Sequence, residues 1–458
     1  DALRHWFGDG FPRDTERLAR RLNQDVATID QLICDQLNVI IHHQKFQELE
    51  ASWRGLHYLT KCHERYSDPA VKIRVLNMSR KEVERDFEKA VEFDQSQVFK
   101  KIYEQEFGTP GGEPYGALVV DYEIHPRPHA GHPHDDISLL RYLSRVGAAA
   151  LCPVIANAHP SMLGMDDFQG LEHRVDHART LSQASYLNWR SLRETIEARF
   201  IGLTLPRILM RLPYEDDGSR VDRFCFREDV SSPDASKYLW GGAAFAMGEV
   251  MIRAFSQAGW LADIRGLQRD EDRGGLVTQL PVHSFATDKL GIATKMSTDV
   301  VVTEELEKEL SDLGFVPLCH CKDADFSVFY SNQSIQKPKI YDRPVATVNA
   351  RISSMLQYML CVSRFAHCVK VIGREKTGAF LEAQEFEDYL HNWITKYVTA
   401  DSEAELSVKA KHPLREAKVA VHPVAGRPGN YNCTMHLAPH YELDDLHASV
   451  RLVAELTP

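Results

Sequence analysis

No stretch of this 458-residue sequence holds the roughly 20 consecutive apolar residues that a bilayer-spanning helix requires, so membrane insertion is not expected. An excess of positive charge is missing too. Lys and Arg total 54 against 65 Asp and Glu, a formal net charge of −11, which argues against general affinity for nucleic acid or anionic lipid. Cysteines are few and irregular: nine, an odd number, without the paired spacings of a disulfide framework. They read as free thiols in a reducing cytosol. The opening residues, DALRHWFGDGFPRD, have neither the basic end nor the apolar middle of a secretion signal. GxSxG, Walker A and GxGxxG patterns are all absent, which removes the usual sequence signatures of α/β-hydrolases, P-loop NTPases and dinucleotide enzymes.

What is present reads as a globular chain of mixed class. Hydrophobic residues make up 43% and charged residues 26%, and the length suits roughly two to four domains with a large core. Leu18, Leu22, Val26, Ile29, Ile33, Leu37 and Ile40 recur at spacings of three and four. This predicts one long helix over 14–41, with Pro12 and Asp14 suited to its start. Phe46, Leu49, Trp53, Leu56 and Leu59 predict the apolar face of a second helix. VKIRVLN (71–77) alternates as a half-buried strand does, and Ser79 with Glu82 forms a capping-box pattern. After the loop GTPGGEP (108–114), ALVVDYE (117–123), a helix from Asp135 or Asp136, and CPVIANA (152–158) make a strand–helix–strand unit with short links. A parallel sheet follows from that order. Helices are expected in YLNWRSLRETIEARF and KYLWGGAAFAMGEVMIRAFSQAG, strands in IGLTLP and ILMRLP. More strands are expected at 276–282, 299–303, 316–321 and 325–330, and two helices over about 346–371 and 381–398. In the tail, AKVAVHPV and YNCTMHLAP flank the turn AGRPGN, and ASVRLVAEL (448–456) follows. The fold class is α/β (α+β overall), an α/β body with N-terminal helices and a β-rich C-terminal segment.

Metal-ligating residue types concentrate in IHPRPHAGHPHDD (124–136), which holds His125, His129, His132 and His134 ahead of two aspartates. Three prolines and a glycine interrupt it, and an exposed connection of that kind is not expected to converge on one ion. Asp135 or Asp136 is expected to cap the following helix. No catalytic, metal or cofactor-binding residue is assigned. In HRVDH, His173 and His177 are one helical turn apart, but Arg174 stands where a zincin needs Glu. In LCHCK, a strand would put Cys319 and Cys321 on one face as core thiols and His320 on the other. His42 and His43 adjoin a helix C-terminus, where a positive side chain suits the dipole. SIQK (334–337) with KTG (376–378) mimics penicillin-binding motifs, but Pro338 falls inside the helix the serine would have to start. Gly241–Gly242 is read as permitting close packing beside a helix.

A chain of this size without a convergent catalytic set suits an assembly protein, and longer blocks resemble one. IIHHQKFQELEASWRGLHYL (40–59) resembles the signature of the large sheath subunit of bacterial type VI secretion, the TssC/VipB family. LRYLSRVGAAALCPVIANAHPSMLG, WRSLRETIEARFIGLTLPRILMRLPY and YLWGGAAFAMGEVMIRAFSQAGW continue the resemblance in order, as do LPVHSF and LSDLGFVPLCHCKDADFSVFYSNQSIQKPKIYD. SRFAHCVKVIGREKTGAFLEAQEFEDYLHNWITKYV and the ending VAGRPGNYNCTMHLAPHYELDDLHASVRLVAEL complete it, so that it covers about Val26 to Leu456. The resemblance implies a core shared with contractile phage-tail sheaths and an obligate small partner, TssB/VipA. It also implies self-assembly into a helical tubule of six-fold rings around an Hcp tube. Contraction on a baseplate would propel the tube and its effector spike, with recycling by the AAA+ unfoldase ClpV. The location implied is the bacterial cytoplasm. About thirteen opening residues do not resemble the family's N-terminal region, where the unfoldase binds in relatives, and that site is not carried over.

For assembly, the chain divides into an N-terminal helical region (1–66), an α/β sheath domain (67–260), a second sheath-core α/β domain (261–400) and a C-terminal β segment (401–458). On the residues alone, the last strands complete the chain's own sheet. The resemblance implies instead that they pair with neighbouring subunits through Val419, Val421, Gly426, Pro428, Gly429, Tyr431, Val450, Leu452 and Val453. The first helix offers Leu18, Leu22, Val26, Ile29, Ile33 and Leu37 either to the chain's own second helix or to a partner. Two other functions fit less of the sequence: a sheath of a related contractile injection particle or phage tail, and a cytosolic metal-dependent hydrolase on an α/β domain.

Overall fold

A computed structural model describes residues 5–6, 14–173, 175–215, 224, 226–230, 235–268, 271–286, 293–376, 383–401, 403–424, 431–440 and the backbone of 450–456. The long helical period resolves into α1 (Thr15–Ile41), whose cap Asp14 accepts a hydrogen bond from the Glu16 amide. A short turn leads into α2 (Gln44–Tyr66). The capping box opens α3 (Arg80–Lys89), with both the Ser79 and Glu82 interactions present.

The body is a parallel sheet of β1 (Leu118–Ile124), β2 (Val154–Ala158), β3 (Ile201–Leu205) and, from much later in the chain, β5 (Val316–Pro317), in that spatial order. Helix α4 (Asp136–Ala150) crosses over from β1 to β2. The strands alternate as a two-sided buried sheet must. Val154, Ala156 and Ala158 face the core that holds Leu140, Leu143 and Val146 of α4. Ile155 faces the opposite core, built on α5 (Ala244–Ala258). Helix α5 is buried almost all round because it lies between the sheet and α2. At that crossing a Cβ on Gly55 would lie 2.3 Å from the Phe245 ring, and one on Gly248 would lie 2.7 Å from Leu59. The paired glycines beside the helix work as expected. A Cβ on Gly242 would fall 2.2 Å from Asn157, whose Oδ1 accepts from the Ala244 amide and caps α5.

A small sheet of β4 (Leu276–Val277), β6 (Cys319–His320) and β7 (Ser327–Val328) lies beyond α5, with α6 (Glu304–Asp312) leading into β5. A third core joins α7 (Leu356–Lys376) and α8 (Ala383–Thr395) to the tail. There β8 (Leu414–Pro423), β9 (Tyr431–Pro439) and β10 (Val450–Leu456) form an antiparallel sheet in sequence order. Among the described residues no helix is long and apolar enough to cross a membrane.

Several expected elements differ. VKIRVLN forms no strand: it pairs with no other segment among the described residues, and Val75 and Leu76 are 65% and 49% exposed. The strands expected over 276–282, 316–321 and 325–330 shrink to two-residue ladders, and 299–303 forms none. ILMRLP pairs only through Ile208–Leu209, against Trp240–Gly241 and, at Ile208, against Thr298. The helix expected across 186–200 stops at Arg193 and resumes as a 3₁₀ turn, Glu197–Phe200.

Candidate assembly surfaces and a histidine cluster

The tail sheet is built first as part of this chain's own core. Val419 and Val421 on β8 are buried with Cys433, Met435 and Leu437 of β9 against Phe386, Leu390 and Ile394 of α8. The Val421 amide also donates to Glu387 Oε2 at 2.8 Å, which ties the far edge of β8 to α8. Tyr431 is half-buried near Phe386, with ring centroids 6.5 Å apart. Gly426, Pro428 and Gly429 lie outside the described residues. Val450, Leu452 and Val453 stand in β10 opposite Leu437, Met435 and Thr434. In this chain the three strands therefore pair with one another, and β10 is the last strand of the sheet.

Helix α1 buries only Ile41, at its C-terminal end. Leu18, Leu22 and Leu37 are half-buried, whereas Val26, Ile29 and Ile33 are 53%, 38% and 42% exposed. On α2 the large apolar face points outward. Phe46, Leu49 and Trp53 are 40%, 57% and 66% exposed, and the face turned to α5 is instead Ala51, Gly55, Leu59 and Cys62. The expected apolar face thus holds only at Leu59 and, in part, Leu56. Close packing at Gly55 and Gly248 selects small residues for the inner face and leaves the bulky ones outside. Contiguous exposed apolar surface of this kind marks an interaction site.

A buried ionic clasp fixes the α1–α2 turn to the body. Arg211 donates to Glu228 Oε2 at 2.5 Å and to Glu50 Oε1 at 2.9 Å, and Arg54 donates to the same Glu50 oxygen at 2.7 Å. His42 meets Glu228 Oε1 at 3.2 Å, and the Asp229 amide donates to Asn38 Oδ1 at 2.9 Å. Glu228 and Arg211 are both buried. His42 is therefore a link in this clasp, beyond its expected part at the helix end.

The His- and Pro-rich connection departs from the sequence reading most. It folds back on itself through reciprocal backbone hydrogen bonds between His129 and His132. Asp135 is the cap of α4, accepting from the Ser138 amide at 3.2 Å. Asp136 is fully buried and faces the loop. Its Oδ2 accepts from the His125 amide at 2.8 Å and lies 3.3 Å from His125 Nδ1 and 3.0 Å from His132 Nε2. Its Oδ1 accepts no hydrogen bond and faces Arg80 Nη1 at 3.3 Å. Burial works against the charge on Asp136, but the His125 hydrogen bond and the Arg80 guanidinium outweigh it and hold the carboxyl below its ordinary value. His159 stacks on His125 with centroids 3.9 Å apart, and burial pushes its pKa down to about 4. His125, His132 and Asp136 each offer one ligand atom within 4.8 Å of the others. Convergence that the sequence did not predict is thus present.

In LCHCK the strand ends at His320, so Cys321, expected as a core thiol with Cys319, is only half-buried. His320 lies buried between Ser297 and Ser327, at 3.3 and 3.1 Å, inside the small sheet. Cys319 is buried, with its thiol pKa pushed up by desolvation, and Cys321 is half-buried near the Tyr330 hydroxyl. His177 begins a short helix and is buried, and His173 is exposed outside it, so they do not share a helical turn.

Comparison with known proteins bears on the whole chain. Residues 23–336 match the family model described as EvpB/VC_A0108, tail sheath N-terminal domain, and residues 345–456 match the EvpB/VC_A0108 tail sheath gpW/gp25-like domain. The sequence is 42% identical over 434 residues to the type VI secretion system sheath protein TssC1 of Pseudomonas aeruginosa, covering 94% of this chain and 85% of that protein. A chain of the anti-feeding prophage baseplate, solved by cryo-electron microscopy, aligns with 70% of this chain at 10% identity and a TM-score of 0.31. This chain spans 63% of that one.

Proposed function

The chain belongs to the VipB tail-sheath family of type VI secretion, and from that premise we propose that it is the large, non-catalytic subunit of a contractile sheath. It pairs with a small subunit of the TssB/VipA kind and assembles with it into stacked six-fold rings around an Hcp tube. Contraction from a baseplate drives the tube outward, and a ClpV-type unfoldase recycles the spent sheath. It works in the cytoplasm, without nucleic acid or membrane insertion.

The observation that carries this reading is the open apolar surface on α1 and α2. Val26, Ile29, Leu32 and Ile33 on one helix, and Leu49 and Trp53 on the next, stay in solvent although the chain has a well-filled core. A permanent partner would cover them, as such complexes bury roughly 2,000–5,000 Å². The helices up to residue 66 are therefore the partner-reaching part, and 67–400 the rigid part. The tail 401–458 pairs with neighbours: β10 can accept a further strand through its backbone groups. Val419 and Val421 then hold the sheet to the body while the β10 side, with Val450, Leu452 and Val453, is extended.

Contraction needs two packings of near-rigid bodies. A difference on the order of 1 kcal/mol per subunit, the scale of ordinary coupling energies, accumulates over many copies without any nucleotide site. The test is co-purification. The chain expressed alone should aggregate, and light scattering should report a soluble, fixed-ratio complex once the small subunit is co-expressed. A chain that is monodisperse alone and ignores the small subunit would overturn the proposal.

A further inference from the structure

We infer that His125, His132 and Asp136 form a binding site for one divalent transition-metal ion of the zinc class, which staples the 125–134 loop to the start of α4. This site is independent of the sheath reading.

The donor set is two imidazole nitrogens and one carboxylate oxygen, which suits zinc, nickel, cobalt or copper and disfavours magnesium and calcium. The spacing also suits it. Bonds of about 2.0–2.1 Å put adjacent ligand atoms of a tetrahedral site about 3.3 Å apart. Asp136 Oδ2 lies 3.3 Å from His125 Nδ1 and 3.0 Å from His132 Nε2.

Asp136 and His125 are held in place, whereas the His132 ring, stacked on His125 with centroids 4.0 Å apart, turns so that both imidazoles aim a lone pair at one ion. Asp136 has no exposed surface, His125 is 8% exposed, and the His125 amide donates to the same carboxylate oxygen, orienting it. His132 is the half-buried member at the rim, which gives an ion its approach.

The hydrogen bonding is incomplete without an ion. His132 Nε2 can donate to Asp136 Oδ2 at 3.0 Å, which leaves Nδ1 to accept from Arg80 Nη1 at 3.3 Å although that nitrogen sits closer, 2.7 Å, to Nε2. Asp136 Oδ1 and Arg80 Nε, both shielded from solvent, make no hydrogen bond at all. An ion takes the lone pairs of His125 Nδ1, His132 Nε2 and Asp136 Oδ2 in place of these contacts. Arg80 then swings off the His132 ring towards Oδ1 of the carboxylate, still held by the Glu123 carbonyl at 2.6 Å. Water, or the neighbouring His129, completes the coordination.

The test uses the full chain, alone or with its small subunit, freed of metal by dialysis against chelator. Zinc is titrated against a chromophoric chelator, and cobalt is followed by its visible ligand-field bands. The expected result is one equivalent of zinc per chain, a tetrahedral-type cobalt spectrum, and loss of both in His132→Gln and Asp136→Asn, with His173→Ala unchanged. Circular dichroism confirms that the variants fold, and His125→Gln replaces any that does not. Substoichiometric zinc, or zinc retained equally by the folded ligand variants, would overturn the assignment.

Discussion

Replacing Leu49 and Trp53 on α2 with serine and glutamate, together with Phe46→Ser, removes the outward apolar face without touching Ala51, Gly55, Leu59 or Cys62, which hold the helix to the body. In the isolated chain the three side chains are already 57%, 66% and 40% exposed, so the fold loses little; surface changes cost about 0.5 kcal/mol or less each. Covering the remaining exposed fraction of each by a partner contributes about 0.8–1.5 kcal/mol, half of the roughly 1.5–3 kcal/mol for full burial of a large apolar side chain. The sum is about 2–4.5 kcal/mol, a loss of roughly fiftyfold to a thousandfold in affinity. The assay is competition: the triple variant and the parent are co-expressed with a limiting amount of tagged small subunit, and the ratio captured is read by mass spectrometry, with limited proteolysis of the captured variant as the fold control. A folded variant captured within threefold of the parent would refute the reasoning, because the exposed face would then have no partner there.

Three further outcomes are expected. Arg211→Ala leaves Glu228 buried beside Glu50 with no guanidinium between them, and should cost about 3–5 kcal/mol in denaturant unfolding, with faster amide exchange at the α1–α2 turn. Desolvation raises Glu249 to about 8, against a weaker pull from Arg253. A carboxyl whose folded pKa lies above its unfolded value stabilises the fold below the unfolded value of 4.5 and loses that contribution as pH rises through about 8. Glu249→Gln should therefore gain stability relative to the parent as pH rises from about 4.5 to about 8 and level off above it, read as a difference in melting temperature that grows and then stays constant. Deleting 448–458 removes β10 and the pairing of β9 with it, and should abolish tubules in electron micrographs while the complex with the small subunit still elutes as one species.

Much of the fold was legible. The period of 14–41 and its Asp14 cap predict α1 to within a residue, because a long 3.6-residue repeat and a capping carboxylate are both local signals. The tail strands were legible for the same reason: alternation and a Gly–Pro turn are written in contiguous residues. VKIRVLN failed because alternation reports which side chains favour burial, not whether a neighbouring strand is there to pair. The inner face of α2 was missed because Ala51, Gly55 and Cys62 pack by being small, a property that hydrophobic periodicity underweights. The histidine cluster was missed because its convergence depends on a loop closed by His129 and His132 and on which of two adjacent aspartates caps the helix. The one available clue was Gly131 between two histidines, a turn signal that brings flanking side chains to one side.

The central claim, that this chain acts by building a contractile polymer with a partner, is tested most directly by electron microscopy of the two subunits co-expressed. The account predicts long hollow tubules of regular helical pitch, with six-fold symmetry in end views. Fields of discrete particles the size of a single heterodimer or monomer, under every condition of salt and concentration, would contradict it.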